Sequence, residues 1–462
     1  MQLYETKTPA MSKPPLLIVV LAAGMGVRMR SRRPKVLHGF AGRSLLGHVL
    51  AGAQALGAAR IAVVVAPALH DVRAEALAHV HDVALFEQAT QAGTADAVLA
   101  AAPALQGHRG DVLVLFADTP LIETATLAEL VAALERANIA VLGFEPDDPT
   151  GYGRLLLDAG GRVRAIREHK EASAAERTTR LCNAGAMAFR VPSLLDLLGR
   201  IGNDNASREY YLTDAIDLAN RDGLIALPVV CTPQEAIGIN TRAQLAMAEA
   251  IFQQRARAQA MREGVTMVAP ETVWFSYDTQ IGCDVTIEPN VYFGPGVVIK
   301  EGAQILANSH IAGARIAEGA RIGPFARLRP GADVGADVHV GNFVEVKNAS
   351  LEPGAKANHL AYIGDARVGA GANIGAGTIF CNYDGFNKNF TDVGKGAFIG
   401  SNAALVAPLK IGDGAYVGSG SVITRNVEAD ALAVERVPQE VRPGWAAKFR
   451  ALMQNRKQKA RA

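Results

Sequence analysis

Apolar side chains recur at about every sixth position in the C-terminal part of the chain, from residue 281 to residue 423. A helix has a period near 3.6 and a half-buried strand a period of 2, so neither explains this spacing. A coil of short strands does, because each face points one apolar side chain inward and glycine permits the turns. The spacing predicts a left-handed parallel β-helix of hexapeptide repeats over residues 266–437. The repeated residues are Ile281, Phe293, Ile299, Ile305, Ile311, Ile316, Ile322, Leu328, Val334, Val340, Val346, Ile363, Val368, Ile374, Ile399, Leu405, Ile411, Val417 and Ile423.

The repeat is interrupted once, over residues 381–398. This segment abandons the six-residue spacing, so we expect it to project from the coil as a loop. Coils of this kind have flat faces and commonly assemble side by side, which makes a trimer the expected state. The Asn, Tyr and Lys side chains of the loop could then complete a pocket on a neighbouring subunit.

Residues 16–240 follow a different pattern, in which short apolar runs alternate with segments rich in Ala and Leu. This alternation predicts a Rossmann-like α/β domain with a mostly parallel sheet. The runs that predict strands are 16–21, 61–65, 112–116 and 139–144.

Three further segments complete the predicted organisation. Residues 241–265 form a predicted helical linker, because 241–263 contain no Gly or Pro and are dense in helix formers. Residues 1–15 are expected to be a flexible leader, and residues 438–462 a basic tail.

The composition restricts the possible classes of function but predicts no further structural element. Hydrophobic residues make up 49% of the 462 residues and charged residues 20%, with a net charge of +2, which is an ordinary globular balance. The basic residues at 448–462 predict a solvated end in preference to a nucleic-acid contact. The four cysteines form no CxxC pair, which argues against a zinc site and a disulfide framework and favours a reducing cytoplasm. The early apolar run Leu16–Ala23 is too short for a membrane span.

The first predicted strand runs directly into the segment AAGMGVRM, residues 22–29. Gly24 and Gly26 let the backbone approach a ligand, and a helix beginning there would aim free N–H groups at a phosphate. A basic cluster at 32–35 lies within reach of the same loop. Glycine pairs at strand ends and exposed basic clusters also occur without a ligand, and the Walker and Rossmann spacings are both absent. The segment alone therefore does not decide between a phosphate-binding loop and a loop that binds no ligand.

Asp118 follows the buried run 112–116 in the segment FADTP. An acid at the carboxyl end of a strand lies where open α/β sheets bind ligands, and its oxygens suit magnesium. The alternative is a turn-forming Asp before the Thr119-Pro120 turn.

Together these segments resemble the family of sugar-1-phosphate nucleotidyltransferases. The likeness is carried, in order, by LAAGMGVRM, PKVL, QAGTADAV, FADTPL, GYGR, EHK, NAG, REYYLTD and GIN. It implies that a sugar 1-phosphate attacks the α-phosphorus of a nucleoside triphosphate and that pyrophosphate leaves. Such a transfer depends on in-line positioning and charge neutralisation more than on a protein nucleophile.

The resemblance also implies roles for single residues. Contacts to the nucleotide are expected from Leu21, Ala22, Ala23 and Gly24, to its phosphates from Arg28 and Lys35, to uracil from Gln88, Gly93 and Thr94, to the sugar from Gly153, Glu168 and Asn183, and to Mg²⁺ from Asp118 and Asn240. Three positions depart from the family pattern: Met25 stands for a Lys or similar polar residue, Val27 for Thr, and Phe116-Ala117 for Tyr-Gly. Met25 removes a possible phosphate cation.

Polar residues cluster in the predicted coil around His359. An amine acceptor would need a base with a pKa near neutrality, and cations to hold a phosphate. A lone His is more often structural than catalytic, and a coil can serve only as a scaffold for oligomers. Arg329, Lys347, Tyr362 and Asn373 around His359 favour the catalytic interpretation.

Six segments of the coil narrow the resemblance: IGPFARLRPGA, VGNFVEVKNA, HLAYIGDA, NIGAGTIFCNYDG, IGSNAALVAP and VITRNV. They resemble the bacterial family of bifunctional N-acetylglucosamine-1-phosphate uridyltransferases/glucosamine-1-phosphate acetyltransferases, and the likeness spans about residues 16–445. It implies that His359 is the general base. It also implies that the amino sugar phosphate is bound by Arg329, Lys347, Tyr362, Asn373 and Lys388, and acetyl-CoA by Ala376, Ser401, Ser419 and Arg436, with Asn382 and Tyr383 lining the acceptor side.

The expected function is an enzyme with two active sites. One acetylates glucosamine 1-phosphate from acetyl-CoA, and the other couples the resulting N-acetylglucosamine 1-phosphate to UTP with Mg²⁺. We expect a homotrimer formed through the coil, no nucleic-acid partner and no membrane insertion. Two alternatives are a single-activity nucleotidyltransferase with a non-catalytic coil, and a binding subunit without catalysis.

Overall fold

The computed structural model describes residues 14–190 and 194–460. The chain divides into two compact units, with the boundary between Ala256 and Arg257. Residues 1–13 of the predicted leader and the last two residues of the predicted tail lie outside the described residues. Within the described ranges, no helix has both the length and the apolar character needed to cross a membrane.

The N-terminal unit is an α/β domain. Its strands are β1 (Leu16–Leu21), β2 (Gly39–Phe40), β3 (Arg43–Ser44), β4 (Arg60–Val65), β5 (Ala84–Glu87), β6 (Asp111–Phe116), β7 (Ile139–Phe144), β8 (Arg154–Leu157), β9 (Val163–Arg167), β10 (Cys182–Phe189) and β11 (Ala226–Val230). Its helices are α1 (Leu45–Ala55), α2 (His70–His79), α3 (Thr94–Ala100), α4 (Ala102–Leu105), α5 (Thr124–Ala132), α6 (Leu194–Gly199) and α7 (Ala215–Arg221). Helix α8 (Arg242–Arg262) begins in this unit and includes the boundary. Short 3₁₀-helices lie at Val27–Met29, Lys35–Leu37, Ala133–Glu135, Glu176–Thr178 and Leu212–Asp214.

The main sheet has the order β11-β7-β10-β6-β1-β4-β5, and β8 pairs with both β10 and β9. Strand β1 is parallel to β4 and to β6, so the carboxyl ends of these three strands meet at one edge. The four predicted strands are confirmed as β1, β4, β6 and β7. Strand β10, antiparallel between β6 and β7, was not predicted because its sequence CNAGAMAF is rich in small residues and has few branched ones.

Strand β1 is covered on both faces. Ile18 and Val20 belong to one buried apolar cluster, whereas Leu17 and Val19 belong to the other. This alternation is expected for a strand with helices on both sides of the sheet. Helix α8 lies where a single long helix was predicted, and that prediction is confirmed.

The C-terminal unit is a coil of short strands, and all of the pairs between its strands given for the described residues are parallel. The strands are β12 (Thr266–Met267), β13 (Gln280–Ile281), β14 (Thr286–Ile287), β15 (Tyr292–Phe293), β16 (Val298–Ile299), β17 (Gln304–Ile305), β18 (His310–Ile311), β19 (Ala314–Ile316), β20 (Arg321–Ile322), β21 (Arg327–Leu328), β22 (Ala332–Val334), β23 (His339–Asn342), β24 (Glu345–Leu351), β25 (Lys356–His359), β26 (Tyr362–Val368), β27 (Asn373–Ile374), β28 (Ile379–Cys381), β29 (Thr391–Val393), β30 (Phe398–Ile399), β31 (Ala404–Val406), β32 (Leu409–Ile411), β33 (Tyr416–Val417), β34 (Val422–Ile423) and β35 (Leu432–Ala433). A 3₁₀-helix lies at Pro270–Thr272, and helix α9 covers Trp445–Lys459.

The register of the coil explains the six-residue spacing. Ile281 pairs with Ile299, and Ile299 pairs with Ile316, so one turn of the coil takes about three hexapeptides. Every residue of the predicted repeat except Ile281 is buried. The predicted parallel β-helix is therefore confirmed.

The interruption of the coil is shorter than predicted. Val393 is fully buried and pairs with Val368 and Ile411, so the coil resumes at Thr391 and only residues 382–390 leave it. The predicted loop was wrong for Cys381, which ends β28, and for residues 391–398. Val393 precedes glycine and lies six positions before Ile399, which is the signal that the sequence interpretation missed.

The basic tail was predicted as a solvated end. It contains helix α9, whose residues are all exposed. Its helical backbone was not predicted.

Candidate active sites

A cavity of about 300 Å³ opens at the carboxyl ends of β1 and β6. The predicted residues that line it are Leu21, Ala22, Ala23, Gly24, Lys35, Gln88, Gly93, Thr94 and Asp118. Sequence reasoning assigned no role to the other lining residues, Val36, Gln91, Ala97, Phe116 and Glu209. All five lie inside motifs that carried the resemblance, as Ala97 and Gln91 do in QAGTADAV, so the signal for them was present.

The loop after β1 approaches Lys35 closely. Gly26 has a φ of +66°, and a Cβ atom there would lie 2.3 Å from the Cβ atom of Lys35. Only a 3₁₀ turn, Val27–Met29, follows this loop, and Arg30 after it also has a positive φ of 48°. The helix that begins after the glycines is therefore a single 3₁₀ turn. A phosphate at this loop would meet loop N–H groups and side chains, with no helix terminus to add to them.

Lys35 brings together the two residues predicted to hold magnesium. Its ammonium donates a hydrogen bond to Asp118 Oδ2 at 2.5 Å and another to Asn240 Oδ1 at 2.9 Å. The Lys35 and Asp118 side chains are only 10% and 23% exposed, so solvent screens this ion pair weakly. Two oxygens that share one ammonium also lie within reach of one metal ion.

The donor set suits Mg²⁺, which is commonly held by one or two carboxylates plus substrate phosphates and water. Among the described residues, no group of three or more His, Cys, Asp and Glu side chains could hold a metal ion. Asp118 and Asn240 would therefore supply only part of a coordination shell, and the nucleotide would supply more of it.

Gln88 and Gly93 form the opposite wall of the cavity. Gln88 Nε2 donates to Gly93 O at 3.1 Å and to Asp96 Oδ2 at 2.8 Å, which fixes the amide plane and leaves its oxygen available. Gly93 has a φ of +129°, and a Cβ atom there would lie 2.5 Å from Tyr210 N, so only glycine fits. Gln91 Nε2 donates to Ala23 O at 2.5 Å and ties this wall to the glycine loop.

The three residues predicted to hold the sugar also lie together, although they are not among those that line the cavity. Asn183 N donates to Gly153 O at 2.8 Å, and Glu168 Oε1 lies 3.4 Å from the position of a Cβ atom on Gly153. Burial raises the pKa of Glu168, and a hydrogen bond from Thr213 opposes this effect in part. Arg28, predicted to contact phosphate, is an exposed residue of the 3₁₀ turn.

In the coil, His359 is exposed at the end of β25 and is oriented by a residue on the preceding turn. Its Nδ1 lies 2.7 Å from Asn342 Oδ1, and the two residues are register partners of β23 and β25. An amide oxygen can only accept, so in the neutral imidazole the proton is on Nδ1 and the lone pair is on Nε2. His359 is thereby held in the tautomer that a general base needs. Sequence reasoning missed Asn342, which lies 17 positions earlier in the quoted VGNFVEVKNA segment.

Replacing Asn342 by Ala should lower kcat for acetyl transfer by up to about tenfold, the effect of losing one hydrogen bond. KM should change little, because Asn342 acts through His359. Asn342→Asp keeps the acceptor and adds a negative charge, which raises the pKa of the imidazole. The acid limb of the kcat–pH profile should therefore move to higher pH in Asn342→Asp. An unmoved acid limb would contradict the positioning role of Asn342.

Cationic residues follow one another on neighbouring turns of the coil. Arg329 N donates to Val346 O at 2.9 Å, and Lys347 is the register partner of Gly364. The Lys347 ammonium lowers the pKa of Lys388 on the loop 382–390, so the two cations lie near each other. Two adjacent ammonium groups suit a doubly charged anion such as a phosphate monoester.

Two carboxylates, Glu345 and Asp365, accept hydrogen bonds from residues of this cluster. The sequence analysis assigned no role to either of them. Glu345 Oε1 accepts from Arg329 Nη1 at 2.8 Å. Asp365 accepts from Asn348 Nδ2 at 2.7 Å and from Asn382 Nδ2 at 2.5 Å. Burial raises the pKa of Asp365, but these amides and the nearby lysines outweigh burial and leave the pKa below its ordinary value. Asn382 also lies 3.5 Å from the Tyr362 hydroxyl, so Asp365 joins the loop 382–390 to Tyr362.

The residues predicted to bind acetyl-CoA follow one corner of the coil away from His359. Gly377 N donates to His359 O at 3.4 Å, Asn402 N to Ala376 O at 2.7 Å, and Gly420 N to Ser401 O at 2.8 Å. Arg436 Nη1 donates to Ser419 O at 2.9 Å. This corner therefore leads from His359 to Arg436 over successive turns of the coil.

Tyr383 and Asn373 are two further residues of the predicted acetyltransferase site. Tyr383 lies on the loop 382–390, where its hydroxyl donates to Gly385 O at 2.6 Å. Asn373 lies in β27 as the register partner of Lys356 and Phe398. Strand β27 pairs with β25, the strand that ends at His359.

An α/β domain with a cavity at the carboxyl ends of its strands, followed by a hexapeptide coil with its own polar cluster, defines a two-domain transferase. The family described as MobA-like NTP transferase domain matches residues 18–181. The family described as bacterial transferase hexapeptide (six repeats) matches residues 278–313 and 390–425. The second of these ranges begins where the loop 382–390 rejoins the coil.

Relatives cover nearly the whole chain. The chain is 56% identical over 442 residues to the bifunctional protein GlmU of Xanthobacter autotrophicus, which is 96% of this chain and 98% of the relative. It is 56% identical to that of a Bradyrhizobium species, over 94% of this chain and 97% of the relative, and 51% identical to that of Paramagnetospirillum magneticum, over 97% and 100%. The chain therefore belongs to the GlmU family of bifunctional proteins. This membership confirms the predicted bifunctional enzyme, a uridyltransferase and an acetyltransferase, over the single-activity alternative.

Proposed function

We propose that the chain makes UDP-N-acetylglucosamine from glucosamine 1-phosphate in two steps at two separate sites. The amine attacks the thioester carbon of acetyl-CoA, so that a C–N bond forms, the C–S bond breaks and CoA leaves as the thiol. A phosphate oxygen of N-acetylglucosamine 1-phosphate then attacks the α-phosphorus of UTP, and the bond to the β-phosphate breaks with release of pyrophosphate. Each step needs a site of its own, because one transfers an acyl group and the other a nucleotidyl group.

The observation that carries the first step is the pairing of His359 with Asn342 on neighbouring turns. His359 Nε2 takes a proton from the substrate ammonium, which frees the lone pair of the amine for attack. Arg329, Lys347 and Lys388 bind the phosphate monoester. The corner of the coil that leads from His359 to Arg436 holds acetyl-CoA, with the loop 382–390 beside the acceptor.

In the second step the chain positions the reactants and balances charge. Lys35 and Arg28 neutralise phosphate oxygens, Gln88 and Gly93 bind the uracil, and Glu168 and Asn183 hold the sugar hydroxyls. Asp118 and Asn240 would hold Mg²⁺, which supplies charge neutralisation on the phosphates. Their oxygens converge on one cation in the structure, which supports this assignment.

The test of this function follows two products from the pure protein with glucosamine 1-phosphate, acetyl-CoA, UTP and magnesium. Free CoA should appear without UTP, whereas pyrophosphate should require both acetyl-CoA and UTP. N-acetylglucosamine 1-phosphate should restore pyrophosphate release when acetyl-CoA is left out. Absence of CoA release would refute the first step, and pyrophosphate formed from unacetylated sugar at the same rate would refute the proposed sequence.

We also propose that the coil forms a homotrimer, that the protein acts in the cytoplasm, and that the functional domains are residues 16–240 and 266–437. The flat faces of the coil support the trimer. Light scattering after size-exclusion chromatography should give a mass three times that of the 48.6 kDa chain. A monomer mass at micromolar concentration would contradict this proposal.

A further inference from the structure

The ammonium of Lys35 lies at the place that the proposed metal site requires. It donates to Asp118 Oδ2 at 2.5 Å and to Asn240 Oδ1 at 2.9 Å, so it occupies one carboxylate oxygen of Asp118 and the single side-chain oxygen of Asn240, the two residues proposed as metal ligands. Magnesium needs its oxygen ligands at about 2.0–2.1 Å. An ammonium and a magnesium ion therefore cannot both use this pair of oxygens.

Repulsion between the Lys35 ammonium and a metal dication also opposes binding of both at this place. A dication beside an ammonium is repelled, and the repulsion is large because the Lys35 and Asp118 side chains are only 10% and 23% exposed. The ammonium must leave before a metal ion takes its place, and a buried cation leaves readily only for another anion.

The stem of Lys35 provides a route for this movement. It runs beside the glycine loop, where a Cβ atom on Gly26 would lie 2.3 Å from Lys35 Cβ and 3.3 Å from Lys35 Cδ. The backbone of Lys35 is fixed in a 3₁₀-helix, but its ammonium is at the end of a flexible four-carbon stem. Rotation of the stem alone can carry the charge from Asp118 towards a phosphate at the loop.

We propose that Lys35 is an internal cation that competes with the metal ion for Asp118 and Asn240. Because triphosphate oxygens offer the ammonium another anionic partner, metal binding is coupled to nucleotide binding, and the metal enters with the nucleotide. By reciprocity, the metal strengthens nucleotide binding by the same factor. This inference rests on the proposed metal role of Asp118 and Asn240.

The test measures Mn²⁺ binding to the full chain by electron paramagnetic resonance, without nucleotide and with UTP. Lys35→Met should bind Mn²⁺ about tenfold more tightly than the unmodified protein without nucleotide, the effect of removing one charge-assisted hydrogen bond from the ligands. Addition of UTP should strengthen Mn²⁺ binding less in Lys35→Met than in the unmodified protein. Arg109→Met, which removes an exposed charge from a loop of the same unit, should leave Mn²⁺ binding unchanged.

Two results would overturn the proposal: Mn²⁺ binding to Lys35→Met that is no tighter than to the unmodified protein, or equal tightening by UTP in both. A separate variant tests the metal ligands themselves. Asp118→Asn should weaken Mn²⁺ binding both with UTP and in the Lys35→Met background. If Asp118→Asn changed Mn²⁺ binding neither with UTP nor in the Lys35→Met background, the assignment of Asp118 as a metal ligand would fail. If it weakened binding but Lys35→Met did not tighten it, only the competition would fail.

Discussion

Replacing His359 by Ala should lower the rate of acetyl transfer by about 10²–10⁴-fold, the usual contribution of a general base. Uridylyl transfer from N-acetylglucosamine 1-phosphate should be unchanged, because His359 belongs to the coil and the nucleotide cavity belongs to the α/β domain. Release of CoA and release of pyrophosphate, each measured with its own substrates, give the two rates.

The control for this variant is His310→Ala. His310 is an exposed histidine of the same coil that stacks on Tyr292, with ring centroids 4.9 Å apart, and it has no part in the proposed site. We expect both activities to survive in His310→Ala. Loss of both activities in His359→Ala, with circular dichroism and oligomeric mass unchanged, would contradict the assignment of two sites.

Replacing Asp118 by Ala should lower uridylyl transfer by roughly 10²–10³-fold, as removal of a single group that stabilises transition-state charge commonly does. Two effects act together: a proposed metal ligand is lost, and Lys35 loses the acceptor that is 2.5 Å from its ammonium. Acetyl transfer should be unaffected. Pyrophosphate release at saturating UTP and N-acetylglucosamine 1-phosphate measures the change.

Asp82→Asn is the matched control, because it also removes one carboxylate charge from the α/β domain, at an exposed turn before β5. It should keep the full rate. A rate in Asp118→Ala within a factor of about two of the control would remove Asp118 from the proposed mechanism.

Local signals explain which parts of the fold could be predicted. The strands β1, β4, β6 and β7 are runs of branched apolar residues, and the coil repeats its buried residues at a fixed spacing. Strand β10 has neither signal, since small residues fill it. The six-residue spacing between Val393 and Ile399 predicts that the coil resumes at Val393. This signal was missed because a longer irregular segment precedes it.

Local signals also explain which parts of the candidate sites could be predicted from the sequence. Residues within continuous motifs, such as Ala22–Gly24 and Asp118, could be assigned by resemblance, and nine of them line one cavity. The contacts between these residues could not be predicted, because the residues in contact are far apart in the sequence. Lys35 lies 83 positions from Asp118 and 205 from Asn240, and no local pattern joins them. Asn342 and Asp365 act through His359 and Asn382, so their roles emerge only once the turns of the coil are in register.

The two-site account is tested most directly by mixing His359→Ala with Asp118→Ala and measuring UDP-N-acetylglucosamine formed from glucosamine 1-phosphate, acetyl-CoA and UTP. Neither variant alone should form the product, since each lacks one step. The mixture should form it, because the acetylated sugar made by Asp118→Ala is free to react at the intact nucleotide site of His359→Ala. A protein with both substitutions in one chain, at the same total concentration, should form none. A mixture as inactive as this double variant, with both single variants folded, would contradict two independent sites.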